Sequence, residues 1–378
     1  MAEVDQYIAQ RKAEREQIDA ILTEAGLDEP SISYELQGKP ILGRERYYEA
    51  HQELAAMING QQPLNLKRAV FLVESAYNPN LTWKWFDDQI ENMVQHVGAV
   101  MQQRGISRQD QVAKNMALFQ FFTDTLTVER VDLERKATSF PMFYDFEDFW
   151  GREDYSKQFV SKLMQTGTGQ CHSLPLLYLI LADEMDIDAH LAFSPSHSYV
   201  KFQDQIGNWH NMELTNHVLT SDQFVMHSGF VKSEAMMNQV YMHPLSKEEL
   251  IGSIVMDLAS GYVKRFGYER FVTICSRLAM QTGLKSMAIH QHNFNYYMTL
   301  HQYVLNQYKQ YGLTRQDFEA DEQAMHIYTQ LVGADKYIDK MGYVDMPEDQ
   351  YEAWLNSVQE ERRKQEHRNR LRQLTQNH

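Results

Sequence analysis

Hydrophobic residues recur at helical spacing over much of this chain, and the stretches that break the rhythm divide it. Ala2 to Leu27 reads as an amphipathic helix on Val4, Ile8, Ile18, Ile21 and Leu22, with Gly26 at the C-cap place. Pro30, Gly38, Pro40 and Gly43 then interrupt the pattern, so residues 28–60 read as a linker or an arm. Helical spacing returns over Leu64–Tyr77 and Trp83–Gln103, through Leu66, Val70, Phe71 and Val73, then Trp85, Phe86, Ile90, Val94 and Val97. Ser107, with Asp110 three residues on, resembles a capping box opening a third helix that carries Val112, Met116, Leu118, Phe119, Phe121 and Phe122. From Val128 to Gly151 the chain is aromatic and irregular, either a satellite hydrophobic cluster or the wall of a groove.

The middle of the chain changes period. A short apolar helix from Leu174 to about Met185 is followed by strand patterns at Asp188–Phe193, His197–Phe202 and Trp209–Thr215, with a Gly207-Asn208 turn before the last. Beyond Ser246 helix dominates again. Ser246 and Glu249 form a capping box ahead of Leu250, Ile251, Ile254 and Leu258. Further helices are predicted over Tyr268–Gln281, Met287–Tyr311, Arg315–Val332 and Glu348–Leu374. The expected fold class is therefore α+β. Its expected segments are an N-terminal helix and arm (1–63), a mixed core (64–245) and a helical domain (246–378).

Composition narrows the classes. A formal net charge of -15 argues against general nucleic-acid binding, which requires a basic footprint. Arg362, Arg363, Lys364, Arg368, Arg370 and Arg372 are concentrated on the last helix, where a solvated face near the negative end of the dipole suffices. The apolar run Leu174–Ala182 is too short to span a membrane. The opening stretch shows no secretory pattern, so a cytoplasmic location is the default, with export open if a leader preceded Met1. Only two cysteines occur, Cys171 after a glycine-rich turn and Cys275 within an apolar helical pattern, which is no disulfide scaffold.

The segment Gly167-Thr168-Gly169-Gln170-Cys171-His172-Ser173-Leu174-Pro175 carries the chemistry. It delivers a thiol to a helix N-terminus, where unpaired N–H groups and the dipole favour thiolate and can receive an oxyanion. His197 heads the next-but-one element, on a strand face shared with Tyr199 and Lys201, and is suited to move the thiol proton. On the following strand Trp209, Asn211, Glu213 and Thr215 share a face; either Glu213 or Asn211 can hold the imidazole in the useful tautomer. Lys201 reads as a solvated strand lysine, with a substrate carboxylate as its other conceivable partner.

Cys at a helix start, His at a strand start and an acid on the next strand together resemble the transglutaminase-like superfamily, relatives of the papain-type fold. Trp209, Glu213 and Thr215 match the spacing of its last motif, with Glu in place of Asp. Gly169-Gln170-Cys171-His172-Ser173-Leu174, Leu177-Tyr178-Leu179 and Ser194-Pro195-Ser196-His197 are similar to a bacterial branch with a tetratricopeptide-like helical tail. The resemblance implies a papain-like core, a catalytic set of Cys171, His197 and Glu213 with Asn211 as alternate, and a peptide or protein substrate. The C-terminal helices are a further expected place for a protein partner.

Glu for Asp lengthens the orienting arm by about 1.5 Å, so the backbone compensates or Asn211 takes the role. No cofactor is expected. A metal site built from Cys171, His172, His197, His210 and His217 is disfavoured, because no paired ligand spacing occurs. The expected activity is that of a cysteine peptidase or amidase, with water or an amine as acceptor. The alternative is an inactive scaffold that holds a peptide or partner.

Overall fold

The computed structural model describes residues 2–24, 34–36, 38–228 and 231–343, with positions 349, 352, 353, 356 and 360 beyond them. Contacts gather the chain into two bodies, Met1–Thr82 with Ser246–Tyr343, and a second built on Trp83–Leu245. The architecture is α+β, and among the described residues the strands lie in the second body. Among the described residues no helix is long and apolar enough to cross a membrane.

In the first body α1 spans Ala2–Glu24; the Gly26 cap falls outside the described residues. The expectation of an extended arm over 28–60 needs correction, because Glu45–Ile58 forms a helix, α2. It buries Tyr47, Tyr48, Ala50, His51, Leu54 and Met57, a helical spacing made inconspicuous by tyrosine and histidine. Its cap is also remote. Arg44 makes no side-chain cap bond, and instead Gly43 and Arg44 donate their N–H groups to Glu14 Oε1 at 2.8 and 2.7 Å. α3, Leu66–Tyr77, is capped locally by Asn65, which accepts from the Arg68 N–H at 2.8 Å.

The second body opens with α4, Trp83–Gln103, and α5, Gln111–Thr123. The cap of α5 differs from the expected box: Asp110 is itself the N-cap, accepting from the Ala113 N–H at 3.0 Å, while Ser107 makes only a preceding turn. The irregular aromatic stretch contains a hairpin, β1 (Leu126–Arg130) against β2 (Arg135–Ser139), and a short strand β3 (Phe143–Tyr144). α6, Val160–Thr166, ends on Gly167 in the left-handed region, and β4, Thr168–Gly169, runs parallel to β3.

α7, Ser173–Glu184, is buried from Ser173 to Ala182, which explains its apolar composition on every face. It packs against α4, α5 and α6, and against two strands of the sheet that follows. That sheet is an antiparallel meander of β5 (His190–Ser194), β6 (His197–Gln203), β7 (Trp209–Glu213) and β8 (Val218–Thr220). Short helices α8 (Asp222–Ser228) and α9 (Ser233–Met237) lead to a segment that returns along β5, where Met242 and Leu245 donate N–H to the Phe193 and Leu191 carbonyls.

The rest of the first body is helical: α10 (Lys247–Phe266), α11 (Phe271–Gln281), α12 (Met287–Tyr311), α13 (Arg315–Ala320) and α14 (Glu322–Lys340). Both bonds of the Ser246–Glu249 capping box are present. α10 packs on α2, α3 and α11, so the stretch around α3 gathers with these helices rather than with the mixed core. The single helix expected over Arg315–Val332 is broken at Asp321. Its Oδ1 caps α14, and its Oδ2 accepts from the Tyr34 and Tyr308 hydroxyls at 2.6 and 2.9 Å. The expected helix over Glu348–Leu374 lies outside the described residues.

Candidate functional site

The nucleophile candidate is placed by its local sequence. Gly167 (φ 70°) turns the chain out of α6, and β4 carries it in extended form to Gln170. Gly169 is needed for closeness, since a Cβ there would come within 2.6 Å of Ser173 Oγ and 3.1 Å of Leu163. Cys171 lies in the turn that enters α7, half-buried and not in a disulfide. Pro175 is accommodated in the first turn.

His197 is set by a two-residue hairpin. Ser194 pairs with His197 across Pro195–Ser196, with Ser196 in the left-handed region at φ 56°. Next to it Ser198 donates its hydroxyl to the Cys171 carbonyl at 2.6 Å, which fastens β6 to the cysteine turn. His197 Nε2 stands 2.8 Å from Glu213 Oε2, both side chains more than nine-tenths buried. Thr215 Oγ1 donates to the other carboxylate oxygen at 2.8 Å. The Cys171 side chain acts on the His197 ring and favours its protonated form. With Nε2 committed to Glu213, the buried Nδ1 makes no hydrogen bond among the described residues and is the ring nitrogen that remains to take the thiol proton.

Burial alone would push the imidazole down. The Glu213 carboxylate and the Cys171 sulfur outweigh it and hold the ring up at about 10. A ring protonated at neutral pH favours thiolate beside it, the nucleophilic form.

Asn211, the alternate orienter, is directed elsewhere. Its Nδ2 donates to Asp222 Oδ1 at 2.8 Å, so Glu213 rather than Asn211 meets His197. Lys201 is not the solvated lysine expected. It is 3% exposed, because β6 is covered on both faces, and its Nζ donates to Asp222 Oδ1 at 3.0 Å and the Met242 carbonyl at 3.3 Å. The remaining histidines of the window disperse: His210 to Asp204 at 3.0 Å, His217 to the Met142 carbonyl at 2.9 Å, and His172 without a capping bond. Among the described residues no group of three or more His, Cys, Asp or Glu is arranged to hold a metal ion.

The aromatic stretch contributes both core and surface, with Tyr144 buried and Phe140 and Phe143 exposed. Sequence reasoning missed Ser198 and Asp222. Ser198 adjoins His197 and had that signal; Asp222 had none, because only the fold brings it to Asn211 and Lys201.

A scan of protein-family models, a search of curated proteins and a search of solved structures returned no match to this chain.

Proposed function

We propose that this protein is a thiol enzyme of transglutaminase-like type, with a papain-like core, acting on an amide in a peptide or protein. The observation that supports it best is the buried 2.8 Å bond of His197 to Glu213, on a ring that Cys171 also holds in its protonated form. Cys171 as thiolate attacks the amide carbonyl, forming a C–S bond while the carbonyl oxygen takes up negative charge. Backbone N–H groups at the start of α7 are the natural donors to that oxygen. The His197 imidazolium gives its proton to the departing amine as the C–N bond breaks, leaving a thioester. His197 then takes a proton from water, which attacks the thioester and releases the acid and the thiolate. An amine in place of water gives a transamidated product by the same steps. Glu213, held by Thr215, keeps the ring oriented and its cation stabilised.

Limiting iodoacetamide at pH 6.5 followed by peptide mass mapping is the test. Cys171 is expected to be carboxamidomethylated well before Cys275, which is fully buried and whose thiol burial pushes up. His197→Ala is expected to slow Cys171 selectively. Equal, slow labelling of both cysteines, unchanged by His197→Ala, would overturn the enzyme reading in favour of a scaffold that binds a peptide or partner.

A further inference from the structure

The residue just before the cysteine is bound more tightly than a turn requires. Gln170 is 0% exposed. Its Nε2 donates to the Asp148 carbonyl at 2.8 Å, its backbone N–H to Ser173 Oγ at 2.9 Å, and its carbonyl accepts from the Leu174 N–H at 3.0 Å. Its Oε1 is buried without a hydrogen-bond partner among the described residues. A residue chosen for packing alone would be Leu or Met, which avoid the cost of burying that oxygen. The amide is retained for what its Nε2 holds.

What it holds is a turn organised by one carboxylate. Asp148 is buried, and its side chain accepts backbone N–H groups from Arg152 at 2.8 Å, Glu153 at 3.4 Å and Asp154 at 3.0 Å. Asp145 supports the same turn, accepting from the Glu147 and Asp148 N–H groups at 2.9 and 3.3 Å and pairing with Lys157 at 2.9 Å. The Asp145 N–H also donates to the Gly169 carbonyl at 2.8 Å, so the turn and the cysteine approach form one hydrogen-bonded unit.

We infer that Asp148 and Gln170 are positioning residues for the thiol reaction. The Asp148 carboxylate shapes the 148–154 turn, and Gln170 carries that placement to Cys171, setting the sulfur against His197. This rests on the thiol reading above. A role in folding alone predicts that Gln170→Met changes stability and leaves the chemistry of Cys171 untouched. A positioning role predicts the reverse: a melting temperature near wild type, because relief of the unpartnered oxygen offsets the lost bond to the Asp148 carbonyl, which keeps the Gly151 N–H, with impaired Cys171.

The experiment compares full-length wild type, Gln170→Met and Asp148→Asn by the second-order rate of iodoacetamide labelling at Cys171, from pH 5 to 10, beside thermal melts. The expected result is a Cys171 rate about ten- to a hundredfold lower at pH 6.5 in Gln170→Met, a displacement of the order of 1 Å being enough. The pH profile is expected to move toward that of a free thiol, while Asp148→Asn, which keeps one acceptor oxygen, shows a smaller loss. A folded Gln170→Met with the wild-type rate and profile overturns the inference. Should that variant fail to fold, Asp148→Asn decides, and a wild-type rate and profile there overturns it equally. If the wild type itself shows no preference for Cys171 over Cys275, the thiol reading falls first and takes the inference with it.

Discussion

At the scale of single residues, the departure that mattered was glutamate where the resembled motif has aspartate. The longer arm reaches the ring: Glu213 Oε2 is 2.8 Å from His197 Nε2, and Thr215 holds the second oxygen. Asn211, two residues earlier on the same strand face, is committed to Asp222. Opposite outcomes follow for the two. Glu213→Gln removes the charge that holds His197 up, so the ring's titration midpoint, followed by NMR, is expected to fall from about 10. Cys171 labelling at pH 6.5 is expected to drop about tenfold or more. Asn211→Ala is expected to leave both near wild type. A loss of labelling in Asn211→Ala equal to that in Glu213→Gln would return the orienting role to Asn211.

At the scale of elements, helix ends separate local from remote causes. α10 starts where a local box says it should, with the Ser246 N–H donating to Glu249 at 2.8 Å and the Glu249 N–H to Ser246 at 3.1 Å. α5 starts three residues later than its apparent box, on Asp110. Asp110→Ala is therefore expected to cost about 1 kcal/mol. Ser107→Ala, on a turn outside the helix, is expected to stay within about 0.5 kcal/mol. Urea unfolding read by hydrogen exchange in α5 measures both; equal costs would restore Ser107 as the cap. α2 has no side-chain cap of its own, and Glu14 accepts the Gly43 and Arg44 N–H groups that lead into it.

At the scale of the whole molecule, His197 in the second body responds to pH with the opposite sign to three buried histidines of the first. In the first, burial pushes His51, His290 and His292 down to about 4. Unfolded rings titrate near 6.5 and bind protons that the folded rings refuse. Their contribution to stability is complete above pH 6.5 and is lost as pH falls toward 4. In the second body His197 is raised to about 10, so its contribution is complete below 6.5 and is lost as pH rises through 10. Urea unfolding with pulse-labelling mass spectrometry at pH 4.5, 6.5 and 9.5 resolves the bodies separately. The expected result is weakening of α2 and α12 on the acid side and of β6 and β7 on the alkaline side. His51→Phe is expected to flatten the acid limb; an unchanged limb would remove His51 from this account.

The sequence by itself determined what has a cause within a few residues or follows a period. The capping box of α10, the bounds of α4 and α12, the apolar α7 and the glycine approach to Cys171 were all legible for that reason. So was the set of candidate site residues, because a thiol at a helix start and a histidine at a strand start are each local patterns. Tertiary structure alone decided which groups meet. It directed Glu213 to His197 across 16 residues, sent Asn211 to Asp222, buried Lys201, and capped α2 from 30 residues away. Those pairings depend on register and on covering both faces of β6, and neither is written in the spacing of any one segment.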